Sequence, residues 1–103
     1  MTPARTAQTI VRGADYALGF QRTENSTPVS LEGDEFDCLL ISSSGTVLTH
    51  PVIGYVDEMQ RCIQISHTVT ATLAAQTARM ELWVTRIVDG FRYMILTARM
   101  TIV

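Results

Sequence analysis

The 103-residue sequence has no lysine; all eight of its basic residues are arginine. Arginine suits planar, bidentate pairing at interfaces better than lysine does. A bias in genomic base composition would give the same pattern. No apolar run approaches the roughly 20 residues of a membrane span. The opening MTPARTAQT lacks the apolar core that a secretory signal requires. These absences imply a chain made and folded in a cytoplasm. Cysteine is scarce, and Cys38 and Cys62 have no Cys-x-x-Cys spacing, so two free thiols are expected in preference to a disulfide. A net charge of −2 gives no reason to expect nucleic acid as a partner.

Catalytic signatures are missing as well. No serine sits in a Gly-x-Ser-x-Gly elbow, and no Gly-x-Gly-x-x-Gly or other phosphate loop is present. His50 and His67 have no second ligand at a metal spacing. The acids Glu32, Asp34, Glu35 and Asp37 could offer oxygens to Ca²⁺, but they lack the loop order of such sites and read as solvated. Arg79, Arg86, Arg92 and Arg99 could suggest a phosphate-binding stripe. Glu81 and Asp89 are interleaved with them, so interface salt bridges or a solvated rim fit better. The expectation is a chain with no catalytic residue, no cofactor and no metal.

The sequence is rich in strand material. At 47% hydrophobic and 17% charged residues it has the composition of a folded domain, long enough to bury about two thirds of its unfolded surface. Short strands alternate with turn signals every eight to twelve residues, and residues 68–75 are the one helix-like piece. This predicts an all-β, two-sheet antiparallel sandwich of about seven or eight strands with one short helical turn, spanning residues 9–103. Residues 1–8 read as a flexible or partner-docked N-terminal arm.

The chain is organised around residues 79–103, two long strands joined at Val88-Asp89-Gly90. A three-residue loop with Gly90 in the left-handed position pairs Val84 with Met94, Leu82 with Leu96 and Met80 with Ala98. The even positions then share one face, and Trp83, Tyr93, Ile95, Phe91 and Ile87 share the other. Both faces are apolar. Either the chain's own loops (residues 1–8 or 23–33) cover the second face, or a neighbouring subunit does. Trp, Tyr and Arg are enriched at interface hot spots, so Trp83, Phe91, Tyr93, Ile95, Arg86 and Arg92 are the candidate contact residues.

Three stretches resemble a recurrent small β-sandwich of tailed-bacteriophage particles. They are Ile10-Val11-Arg12-Gly13-Ala14-Asp15 before an alternating strand, and Thr27-Pro28-Val29-Ser30-Leu31-Glu32-Gly33, similar to a Gly-x-Pro-Val-Asp-Leu-Thr-Gly pattern. The third is a Thr/Leu-rich turn (Thr70, Thr72, Leu73) before Met80-Glu81-Leu82-Trp83-Val84, Asp89-Gly90 and a final strand. The resemblance covers residues 10–103. It departs at Ser30 and Glu32, where Asp and Thr are more usual, and at Thr77-Ala78, where Gly often precedes the aromatic strand.

The resemblance implies an immunoglobulin-like domain of a virion structural protein, in the tail, baseplate or fibre-attachment region. Such a protein would be assembled in the host cytoplasm. Its partners would be other virion proteins and copies of itself, with no nucleic acid and no membrane. A capsid decoration protein, or a carbohydrate- or receptor-binding sandwich, is the alternative reading.

Overall fold

The structure, a computed structural model, describes residues 3–103. About 60% of the chain is strand and 4% helix, which makes the fold all-β. The elements are β1 (Ala4–Ile10), β2 (Tyr16–Gln21), β3 (Thr23–Glu24), β4 (Thr27–Pro28), β5 (Glu35–Ser42), β6 (Val47–Thr49), β7 (Val52–Asp57) and β8 (Gln60–Ile65). The single helical turn α1 (His67–Thr70), β9 (Gln76–Thr85) and β10 (Arg92–Ile102) complete the chain.

Two sheets pack in a sandwich-like arrangement. One has five strands in the order β1-β10-β9-β5-β6, and the other has three in the order β2-β8-β7. Their facing side chains form one core, centred on Leu40, Ile63, Met80, Leu82, Met100 and Ile102, each at most 2% exposed. The alternation of Tyr16, Leu18 and Phe20 against Ala17, Gly19 and Gln21 explains why β2 can cover this core on one side only. His50-Pro51 is the corner at which the chain leaves β6 and crosses to β7 in the other sheet. Among the described residues all sheet pairings are antiparallel except one: β1 runs parallel to β10, from Ala4 opposite Leu96 to Ile10 opposite Ile102.

That pairing corrects the reading of residues 1–8 as an arm. Residues 4–8 belong to the five-stranded sheet, and Met1 and Thr2 lie outside the described residues. The run Ala-Arg-Thr-Ala-Gln carries no apolar alternation of its own, and β10 supplies its ladder. Residues 29–31 form no strand; Asn25 and Ser26, with φ of 50° and 65°, turn the two-residue strands β3 and β4 into a tight hairpin. The short helical turn is present, at residues 67–70.

Ser66 stands at the N-cap of this turn without a side-chain bond, and Asp15 serves its first donor from outside, its Oδ1 accepting the His67 N–H at 2.6 Å. Thr70 is buried, donating its hydroxyl to Ala14 O at 2.8 Å and accepting from Gly13 N at 3.1 Å, which fastens the β1–β2 corner. The two cysteines are free, as their spacing implied.

Candidate interaction surface at the last hairpin

Most of the β9–β10 pairing follows the expected register. Leu82 lies opposite Leu96 and Met80 opposite Ala98, and the register continues to Ile102 opposite Gln76. Val84, however, pairs with Tyr93 and not with Met94, and Met94 pairs with Trp83. The loop is one residue longer than Val88-Asp89-Gly90. Arg86 N donates to Phe91 O at 3.0 Å, so residues 87–90 form a four-residue connection closed by Gly90 N to Arg86 O at 2.8 Å. Gly90 takes φ of 69°, and the Asp89 carboxylate accepts the Phe91 N–H at 2.9 Å. One extra residue at Ile95, a β-bulge, returns the strands to the core register.

The bulge divides the six candidate contact residues. Tyr93 now shares a face with Val84 and accepts a hydrogen bond from Arg22 Nη1 at 3.1 Å. Ile95 packs against the core cluster. Trp83 stays on the outer face, where its Nε1 donates to Glu81 at 3.1 Å and the Arg92 guanidinium lies 4.4 Å from the ring centroid. Arg92 also reaches Asp37 at 3.5 Å, and Asp37 faces His50 at 3.7 Å. One face of the indole is thus occupied by a cation. Phe91 and Arg86 lie at the tip, Phe91 with its ring 5.8 Å from that of Tyr93.

The structure does bring together a different apolar set. Ile87, Val88 and Phe91 are 69%, 75% and 62% exposed and cluster on the tip of the hairpin. Their backbone is held firmly. The Ile87 N–H donates to Asp34 Oδ1 at 3.2 Å. The other carboxylate oxygen of Asp34 lies 3.3 Å from Arg22 Nη1, in a pair whose side chains are only 5% and 9% exposed. This is a charge contact without the alignment of a hydrogen bond, since Asp34 Oδ2 has no hydrogen-bond partner. Arg22 also donates to Ser30 O at 3.3 Å.

Gly33 completes the grip. Its φ is 78°, and a Cβ there would stand 2.7 Å from Ile87 Cδ1. The positive φ is what favours glycine here, since the exposed end of the Ile87 side chain can move aside. Ile87 and Val88 carry a signal that the sequence does contain: two β-branched residues in a tight connection where small polar ones are usual. The clamp residues Arg22 and Asp34 carry none, because they lie twelve positions apart on separate loops.

The acidic run disperses among separate arginines. Glu32 meets Arg61 at 3.5 Å, Asp34 meets Arg22, and Asp37 meets Arg92. A groove of about 450 Å³ is lined by Asp15, Thr49, His50, Gln64 and Ser66 among others. Hydrogen bonds from the backbone and ring of His67 hold the Asp15 carboxyl below its ordinary value. Compared with models of known families and with curated proteins, the chain matches none.

Proposed function

We propose that this chain is a non-enzymatic assembly module: an immunoglobulin-like sandwich that serves as a structural protein of a tailed-phage particle, connecting components in its tail, baseplate or fibre-attachment region. The strand order supports the fold reading. A five-stranded sheet, in which the last two strands lie inside between β1 and β5, faces a three-stranded sheet across one core, and this two-layer arrangement supports a sandwich of that kind. The resemblance of residues 10–103 supports the phage setting.

The observation that carries the contact role is the hairpin tip. Ile87, Val88 and Phe91 are presented to solvent on a backbone fixed by the Gly33–Asp34 turn. A preorganised apolar knob loses little entropy on docking, and burying it removes surface at about 25 cal/mol per Å², offset in part by association costs. Arg86, at 30% side-chain exposure, and Arg92, at 48%, can form a polar rim beside the knob.

The test is a Phe91→Asp/Val88→Asp double variant followed through particle assembly. The expected outcome is an unchanged unfolding midpoint with loss of the protein from purified particles. Normal incorporation of the folded variant would overturn the role of the tip. Absence of the wild-type protein from particles would overturn the virion setting itself.

A further inference from the structure

Five of the eight arginines have a carboxylate within 4.0 Å: Arg22, Arg61, Arg79, Arg86 and Arg92. Arg12 donates instead to the carbonyl of Val103. Among the described residues, Arg5 and Arg99 have no such partner. These two are brought together, far apart as they are in sequence. With Arg79 they line one pocket of about 310 Å³ on the outer face of the five-stranded sheet, with Thr97 and Ala98 between them.

The ladder register builds this convergence. Arg99 lies directly opposite Arg79 on β9, Arg5 lies opposite Thr97 on β1, and Ala7 lies opposite Arg99. Small side chains at Ala7 and Thr97 leave the space that three long ones surround. Like charges placed directly opposite across a ladder destabilise a sheet, so folding alone gives no reason to set Arg79 against Arg99. The one carboxylate beside them, Glu81, is already engaged by Arg79 Nε at 2.9 Å and Trp83 Nε1 at 3.1 Å. Three guanidinium groups against one carboxylate leave an excess of two positive charges here, on a chain whose net charge is −2.

We propose that Arg5, Arg79 and Arg99 form a binding site for a doubly charged oxyanion, either a phosphoryl group or a closely spaced pair of carboxylates. Guanidinium forks match both chemistries with paired N–H donors. The Thr97 hydroxyl, opposite Arg5, adds a neutral donor within the same pocket. The pocket is shallow and its arginines are largely exposed, so binding falls steeply with salt. The site stands apart from the hairpin tip and does not depend on the tip's role.

The test is a ¹⁵N NMR titration of the full chain at low ionic strength, with inorganic phosphate in one arm and succinate in the other. Saturable shifts centred on Thr97, Ala98 and Arg99 are expected. Arg99→Gln and Arg5→Gln should each weaken binding about tenfold, the worth of a charge-assisted hydrogen bond, while Arg12→Gln leaves it unchanged. Tighter binding of phosphate points to a phosphoryl source, and tighter binding of succinate to the acidic side chains of a partner; either supports the site. An unfolding midpoint of Arg99→Gln at or above wild type excludes loss through misfolding. Shifts that do not saturate, or that survive Arg99→Gln and Arg5→Gln, would overturn the assignment.

Discussion

The two ends of the β9–β10 hairpin are built on different physics. At its root, Ala78, Met80, Leu82, Ala98, Met100 and Ile102 are buried in a regular ladder, and apolar burial alone fixes which residue faces which. At its tip, the pairing is offset by one position, the anchoring is polar, and the large apolar side chains point to solvent. The bulge at Ile95 lets the two coexist. A sheet can therefore keep a register dictated by its core and still present a differently aimed end, provided that one residue absorbs the mismatch.

The comparison is tested most severely at the root. Leu82, fully buried, should cost about 4 kcal/mol when changed to Ala, read by chemical denaturation, because a cavity is added to the lost transfer free energy. At the tip, Asp34→Ala should cost about 3 kcal/mol, since Arg22 is left unpaired in a nearly closed site. The joint replacement Arg22→Met/Asp34→Leu should recover most of that loss. Hydrogen exchange at Ile87 separates the two regions: Asp34→Ala should accelerate it more than its effect on global stability explains, and Leu82→Ala should not. Uniform acceleration in both variants would mean that root and tip are one cooperative unit.

Deleting Ile95 is a gentler probe. The residue is the excess one in the ladder, so its removal joins the two registers without displacing either, at about 1 kcal/mol for the lost half-buried side chain. Deleting Val88 instead should shift the tip pairing by one position and release the Ile87–Asp34 contact, visible in the amide spectrum.

The smallest effect expected is one of pH. Desolvation pushes the Cys38 thiol, opposite Leu82 at the root, and the Tyr16 hydroxyl each up to about 12. The folded state therefore holds these protons where the unfolded state releases them. The stability so gained is fully present below the ordinary values of 9.0 and 10.0, and it is lost as pH rises toward 12. The unfolding midpoint should fall across that window, and Cys38→Ala should flatten the decline.

The contrast also marks what was legible in the sequence. The β class and the pairs Leu82–Leu96 and Met80–Ala98 follow from period-two apolar patterning, which burial enforces. The offset tip does not, because a loop of three or four residues fits Val88-Asp89-Gly90 equally well and the bulge conceals the difference. The sequence pattern therefore puts Tyr93 on the face of Trp83, yet it turns toward Arg22. The strand Ala4–Ile10 was illegible for another reason: a polar sequence pairs there because β10 offers it an edge. The arginine pocket needed the parallel register of β1, which brings Arg5 to Thr97 from 92 positions away.

That parallel pairing also has a mechanical consequence. Tension pulling Ala4 and Val103 apart draws β1 and β10 in opposite directions along their shared ladder. The hydrogen bonds between Ala4–Ile10 and Leu96–Ile102, with those of Val103 N to Ile10 O and Arg12 N to Val103 O, are then loaded in shear and together. An antiparallel pair pulled from one end would give way one bond at a time. Force passing through the ends of this domain therefore meets the whole β1–β10 ladder at once.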